Sequence, residues 1–156
     1  MSLKTKFEQE YGSQYTRSKC REHDCALVGI NSNYFIINGD TIKENDEKSV
    51  DCIIIDLRET EEKYKIILCE LTSGNKNIRD AQEKFKSSGK LIINHLDKIN
   101  VTVYSIDCLL LGKIVKNGKS IDKKELMRKF RIDGHDKNMI IQNEKCGYDI
   151  SQLEST

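Results

Sequence analysis

The sequence contains no proline and no tryptophan, and only nine of its 156 residues are glycine. Such a chain is neither collagen-like nor a Pro-rich linker, and its turns must be built mainly from Gly, Asn and Asp. No apolar run approaches the roughly 20 residues of a membrane-spanning helix. At this length we expect one soluble domain over residues 1–156, with a polar tail from about residue 151.

An excess of either charge is also missing, since 26 Lys and Arg residues face 25 Asp and Glu residues. No global field therefore marks the chain as a general polyanion binder. The balance is an average over an acidic middle, Asp40 to Glu62, and a basic C-terminal third. The basic residues of that third are Lys113, Lys116, Lys119, Lys123, Lys124, Arg128, Lys129 and Arg131. Such a patch is enough for phosphate contacts, although charge runs are more often solvated surface.

The cysteines do not resemble the disulfide framework of a secreted protein. The first residues carry no apolar signal segment, and no two cysteines have CxxC spacing. We therefore expect a reducing, cytoplasmic compartment. Cys52, Cys69 and Cys108 stand inside apolar runs, where a free cysteine behaves as a small hydrophobic residue.

The segment from Cys20 to Cys25 allows a zinc hypothesis, because two thiols and the imidazole of His23 fall within six residues. A structural zinc ion needs four ligands. Only Cys146 or His135, both distant in sequence, could supply the fourth.

Hydrophobic periodicity and turn residues predict an alternation of helices and strands. The expected helices are Leu3–Arg17, interrupted near Gly12; Lys76–Ile99, with a weak point near Gly89 or a break there; and Lys123–Phe130, capped by Asp122. The expected strands are Cys25–Ile30, Tyr34–Ile37, Val50–Leu57, Tyr64–Leu71, Val101–Leu111 and Met139–Gln142. We expect a charged loop over Asn38–Ser49 and a tight turn at Asn117-Gly118.

The clearest pair of strands is Val50–Leu57 and Tyr64–Leu71, joined by a charged turn. Both runs are rich in β-branched residues and have the length of strands, which predicts a hairpin. Their nearly continuous hydrophobicity predicts burial on both faces of a sheet. The fold class expected from these elements is α/β, with a mixed central sheet flanked by helices.

Two carboxylates stand in this hairpin, where apolar residues are the rule. Asp51 begins the first strand and Glu70 lies near the end of the second, so antiparallel pairing brings both to one edge of the sheet. Two carboxylates can hold a hard cation such as Mg²⁺ through oxygen ligands. The alternative is a solvent-facing acid at Asp51 and an edge-strand charge at Glu70. Asp56 is expected to be a turn residue at the exit of its strand.

The segment Val50–Asp56, the segment Tyr64–Gly74 and the dipeptide Ala81-Gln82 together resemble the core of the PD-(D/E)XK nuclease-like superfamily. The resemblance covers roughly Leu3 to Leu111. It implies a restriction-endonuclease-like core and hydrolysis of DNA or RNA phosphodiester bonds with Mg²⁺ or Mn²⁺. It also implies a role in nucleic-acid processing or defence.

The resemblance assigns site residues as well. The metal-binding acids would be Asp51 and Glu70. Gln82 would match a glutamine that some members place near the site, and Glu8, Glu10 or Glu22 could be the additional acid that some members carry before the hairpin.

One departure from the family pattern bears on catalysis. Thr72 occupies the position of the motif lysine, and a hydroxyl cannot offset developing negative charge as an ammonium group does. Either Lys65, Lys76 or Lys84 replaces it, with Lys76 best placed in sequence, or hydrolysis is lost. In the second case the protein is a non-catalytic module that binds nucleic acid, a protein partner or further copies of itself.

Overall fold

The computed structural model describes residues 2–44, 47–58, 63–116, 119–120 and 123–153. Its helices are α1 (Leu3–Tyr11), α2 (Gly39–Ile42), α3 (Ile78–Asp97) and α4 (Lys123–Leu126), with 3₁₀ turns at Ser13–Tyr15 and Ile150–Gln152. Its strands are β1 (Thr16–Arg17), β2 (Cys20–Glu22), β3 (Cys25–Leu27), β4 (Tyr34–Asn38), β5 (Cys52–Asp56), β6 (Lys63–Asn77), β7 (Thr102–Lys116), β8 (Lys119–Ser120), β9 (Phe130–Arg131), β10 (Asn138–Met139) and β11 (Ile141–Glu144).

The central sheet is mixed and has the order β1-β4-β5-β6-β7-β11, with β8 paired to β7. The pairs from β1 to β6 are antiparallel, whereas β6, β7 and β11 run parallel. Helix α3 is the crossover that joins the parallel strands β6 and β7, since a parallel pair cannot be connected by a tight turn. The expected α/β fold with a mixed sheet flanked by helices is confirmed.

Strand β5 shows why the hairpin reads as continuously apolar, since all five of its residues are buried. Ile53 and Ile55 belong to the core that contains Phe7 of α1 and Phe85 of α3. The alternate positions, Cys52 and Ile54, belong to a second core on the other side of the sheet. The second core also contains residues of β2 and β3 and of the final 3₁₀ turn. Burial on both faces is therefore confirmed.

The long helix α3 is continuous through Gly89. Its first turn is capped by Asn77, whose side chain accepts a hydrogen bond from the Arg79 amide at 2.9 Å. A Cβ atom at Gly89 would lie 2.6 Å from the side chain of Ile132. The glycine thus permits close packing and does not break the helix.

Several expected elements are shorter or differ in kind. The first helix ends at Tyr11, where Gly12 adopts a φ of 96°, and the predicted Cys25–Ile30 strand ends at Leu27 and pairs with β2. The expected loop Asn38–Ser49 contains α2. The helix expected to reach Phe130 ends at Leu126, because Phe130 pairs with Met139.

Strand boundaries differ in the same way. The expected strand Met139–Gln142 is divided between β10 and β11, and the turn Asn117-Gly118 and Asp122 lie outside the described residues. None of the helices formed by the described residues has both the length and the apolar character needed to cross a membrane.

Four cysteines are paired in two disulfides, Cys20–Cys52 and Cys25–Cys146. Cys69 and Cys108 are free and buried, as expected, but the expectation of a free thiol at Cys52 is wrong. The zinc hypothesis fails for the same reason, because Cys20 and Cys25 are held in different disulfides. Structural disulfides are typical of oxidising compartments, which counts against the cytoplasmic prediction.

Candidate metal centre

The register of β5 and β6 brings Asp51 and Glu70 together. Cys52 pairs with Cys69, so the next positions along the ladder are Asp51 and Glu70. Both acids lie on the face of α1 and α3, because side chains alternate along a strand and Ile53 and Leu68 point there. The carboxylate of Asp51 accepts a hydrogen bond from the Leu71 amide at 2.8 Å, and Glu70 is only 1% exposed.

The two carboxyl groups have opposite pKa shifts. Burial, the hydrogen bond to Glu70 and the charges of Glu70 and Asp40 raise the pKa of Asp51 to about 8. Burial alone would also raise the pKa of Glu70, but contacts with Asp51, Lys84 and Lys76 outweigh it and lower that pKa. Of the two carboxyl groups, Asp51 is therefore the one that holds a proton more readily, and Glu70 is the one that ionises more readily.

Two further acids converge on Asp51 from outside the hairpin. Glu22 ends β2, and Asp40 lies in the first turn of α2, where the Asn38 side chain accepts a hydrogen bond from the Asp40 amide at 3.0 Å. One carboxylate oxygen from each of Glu22, Asp40 and Asp51 lies within 4.8 Å of the others. Three acids from three separate segments thus surround one point, and Asp51 also interacts with Glu70.

Two lysines contact Glu70 from different elements. Oε2 of Glu70 lies 2.6 Å from Nζ of Lys84, on α3, and 3.1 Å from Nζ of Lys76, at the end of β6. Lys65, the third lysine that the sequence allowed, pairs instead with Asp107 at 2.9 Å. Both Lys76 and Lys84 therefore stand beside the acids, and Lys65 does not.

The structure places the other predicted residues away from these contacts. Thr72 is half-buried beyond Glu70, and its hydroxyl accepts a hydrogen bond from the Gly74 amide at 3.2 Å. Gln82 is half-buried on α3 and makes no hydrogen bond with either acid in the part of the chain that the structure describes. Of the three candidate additional acids only Glu22 joins the cluster; Glu8 pairs with Lys4 on α1.

The basic residues of the C-terminal third lie on the surface of the protein. Its side chains that the structure describes, Lys113, Lys119, Lys124, Arg128, Lys129 and Arg131, are all exposed. They are free to meet an anionic partner, and none of them forms an ion pair with an acid of the cluster among the described contacts.

The arrangement fits a hard divalent cation. Both carboxylate oxygens of Glu70 are buried and receive no hydrogen bond from a described residue, although Oε2 lies close to the ammonium groups of Lys76 and Lys84. A buried oxygen in that state costs free energy unless another group satisfies it. Several carboxylate oxygens at one point are the donor set that Mg²⁺ and Mn²⁺ prefer. Asp51, with Glu22, Asp40 and Glu70 around it, could hold such an ion once its proton has left.

Sequence reasoning missed Asp40, because the Asn38–Ser49 segment reads as a charged loop. The signal was present in Asn38-Gly39-Asp40, since Asn is a favoured helix cap and an acid is favoured in the first helical turn. Comparison of the chain with protein-family models, with curated proteins and with solved structures finds no match.

Proposed function

We propose that this protein is a metal-dependent nuclease that hydrolyses phosphodiester bonds of DNA or RNA. The observation that carries the proposal is the buried Glu70, which contacts Asp51 on one side and two lysines on the other. Acids that hold a cation, next to ammonium groups that offset negative charge, are the parts that phosphoryl transfer requires.

The order of elements supports the same proposal. Helix α1, the antiparallel hairpin of β5 and β6, helix α3 and the parallel strand β7 come in this order along the chain, with β1 to β4 and α2 inserted between α1 and the hairpin. This is the order that the resemblance to the PD-(D/E)XK superfamily implies for a restriction-endonuclease-like core. A shared order of elements bears on fold, and the chemistry rests on the acids and lysines.

Each residue has a distinct task under this proposal. Asp51, Glu22 and Asp40 hold the cation, and Glu70 completes the acidic side. The bound ion would lower the pKa of a water molecule and stabilise charge on the scissile phosphate. Lys84 and Lys76 orient Glu70 and offer positive charge to the phosphate, the task that Thr72 cannot perform. Exposed lysines of the C-terminal run would contact the nucleic-acid backbone.

One observation favours a second candidate, a non-catalytic module that binds nucleic acid or protein. Lys76 and Lys84 both already neutralise Glu70, so the buried acid is balanced without a cation. A degenerate site of this kind would keep the fold and the basic surface but not the hydrolysis.

Cleavage assays separate the two candidates. Plasmid DNA, single-stranded DNA and single-stranded RNA are incubated with the purified protein and Mg²⁺ or Mn²⁺, with EDTA as the metal-free control. We expect cleavage by wild type and its loss in Asp51→Ala and Glu70→Ala. Asp56→Asn is the matched control, since Asp56 is a buried acid at the opposite end of β5.

Retention of cleavage in both alanine variants would overturn the assigned site. Absence of cleavage by wild type on every substrate, together with tight nucleic-acid binding, would favour the non-catalytic module.

A further inference from the structure

The position of Glu22 depends on a small hairpin outside the central sheet. Strands β2 and β3 have three residues each and pair only with one another in the described part of the chain. An isolated two-stranded hairpin is marginally stable in water at best, and this one has attachments to the rest of the protein. The Ala26 carbonyl of β3 accepts a hydrogen bond from the Gly147 amide at 2.7 Å, and Cys20, Cys25 and Leu27 are buried in the second core. Covalent links add to these contacts.

Two disulfides attach this hairpin to the rest of the protein. Cys20 of β2 is bonded to Cys52 of β5, and Cys25 of β3 is bonded to Cys146 near the C-terminus. All of these cysteines except Cys146 are at most 1% exposed. The two links thus fix the hairpin at two points, one on the central sheet and one on the C-terminal segment.

The Cys20–Cys52 link joins the segments of both Glu22 and Asp51, whereas Cys25, the cross-strand partner of Glu22, is bonded to the C-terminal segment. Cys52 directly follows Asp51 in the chain, and Cys20 lies two residues before Glu22. The two cysteine Cα atoms are 6.0 Å apart, so the covalent link joins the two segments that supply these carboxylates. The grouping of Glu22, Asp40 and Asp51 within 4.8 Å occurs at this junction.

We propose that Cys20 and Cys52 are positioning residues of the metal centre, and that their disulfide couples divalent-cation affinity to thiol redox state. The inference rests on the proposed function, because it assumes that the acids bind a cation. With the disulfide intact, Glu22 is held against Asp51 and the site has its full set of ligands. With the disulfide reduced, the hairpin moves away and the site loses one ligand.

The redox step balances with a dithiol as the reductant. The S–S bond between Cys20 and Cys52 breaks and each sulfur gains one electron and one proton. The dithiol supplies both electrons and both protons and becomes a cyclic disulfide. Because both sulfurs are buried, this exchange requires local opening of the β2–β3 hairpin.

Mn²⁺ binding to the full chain, followed by electron paramagnetic resonance, tests the inference. Removal of the link in Cys20→Ser/Cys52→Ser should raise the dissociation constant for Mn²⁺ roughly tenfold, as loss of a ligand-orienting group does. The matched control is Cys25→Ser/Cys146→Ser, which removes the other disulfide. Its cysteines are 121 residues apart in sequence, whereas Cys20 and Cys52 are 32 residues apart. The control should lose at least as much thermal stability while its Mn²⁺ affinity changes less than threefold, roughly the scatter of such effects.

Glu22→Gln shows whether the link acts through Glu22. In that background, loss of Cys20–Cys52 should not weaken Mn²⁺ binding further, because the ligand it positions is already gone. If the serine pair does not fold, Cys20→Val/Cys52→Ala keeps both positions apolar and replaces it.

Unchanged Mn²⁺ affinity without the Cys20–Cys52 link overturns the inference and leaves the metal centre standing. Equal losses in both double variants overturn it as well, since the links would then act only through stability. Peptide mapping that finds Cys20 and Cys52 unlinked in the oxidised protein has the same consequence. If oxidised wild type binds no Mn²⁺ at all, the proposed metal centre itself fails.

Discussion

The acids at the two ends of strand β5, buried Asp56 at one end and half-buried Asp51 beside the other, have opposite surroundings. At the Asp56 end each acid has its own base, since Arg58 contacts Asp56 at 2.6 Å and Lys65 contacts Asp107 at 2.9 Å. At the Asp51 end, Glu22, Asp40 and Asp51 lie together with Glu70 next to Asp51, and the described ion pairs of Lys76 and Lys84 are both with Glu70. The difference separates an acid paired with its own base from acids grouped together, and the proposed function assigns cation binding to the second arrangement.

The pKa shifts of the two ends follow the same division. Burial opposes ionisation of Asp56, but the hydrogen bonds from Arg58 outweigh it and lower the pKa of Asp56. Among the described ion pairs none involves Asp51, and burial beside Glu70 raises its pKa to about 8.

The largest expected effect is on cation binding at the Asp51 end. Asp51→Asn keeps an oxygen that can accept the Leu71 amide but removes the central anionic ligand. We expect Mn²⁺ affinity to fall by at least roughly 100-fold, the upper end of what ligand-supporting groups contribute. Isothermal titration with Mn²⁺ measures it, and an affinity within a few fold of wild type would contradict the comparison.

Replacement of the lysine nearest Glu70 should have the next largest effect. Lys84→Met keeps the apolar stem and removes the charge 2.6 Å from Oε2. We expect cleavage to fall roughly 100-fold, the scale of losing one charge-stabilising group, with a smaller loss for Lys76→Met at 3.1 Å. Single-turnover rates at saturating Mg²⁺ provide the measurement. Lys65→Met, at the Asp56 end of β5, should leave the rate of the chemical step unchanged. An equal loss of cleavage in this variant would show that the two ends do not differ in function.

Cation affinity should also depend on pH in a direction fixed by Asp51. Its proton must leave before the cation binds, so apparent Mn²⁺ affinity should rise up to about tenfold per pH unit below a pKa of about 8. The stability of the metal-free protein should change with pH in the opposite direction. A raised folded-state pKa stabilises the protonated form, so the free energy of unfolding should fall between pH 5 and 8. Asp51→Asn should flatten both profiles, and profiles identical to wild type would exclude Asp51 as their source.

The smallest effect should come from the Asp56 end of β5. Asp56→Asn retains an acceptor for the Arg58 amide but loses the ion pair with a half-exposed guanidinium. We expect a loss of about 1 kcal/mol in the free energy of unfolding, measured by urea denaturation, with Mn²⁺ affinity unchanged. A stability gain, or lost Mn²⁺ binding, would show that the two ends are not distinct.

The sequence predicted the central part of the structure because that part depends on local signals. Two β-branched runs around a charged turn define the hairpin, and the antiparallel register then places Asp51 beside Glu70. The helix α3 follows from its apolar spacing and its Asn77 cap. These elements require no knowledge of distant contacts.

The remainder depends on tertiary contacts that no local pattern carries. Short strands such as β2 have too few residues for a periodic signal, and the pairing of Cys20 with Cys52 joins positions 32 residues apart. The reach of Lys84 to Glu70 depends on how α3 packs against β6. Asp40 came into the site only because α2 forms where a loop was expected.

A crystal structure with Mn²⁺, located by its anomalous scattering, tests the central claim most directly. We expect one Mn²⁺ ion bonded to Asp51 and to at least two of Glu22, Asp40 and Glu70, at about 2.0–2.4 Å, and none at Asp56. A crystal grown in saturating Mn²⁺ with no ion at Asp51 would contradict the account. The same holds if the acidic cluster contains no metal and Lys84 and Lys76 remain paired with Glu70.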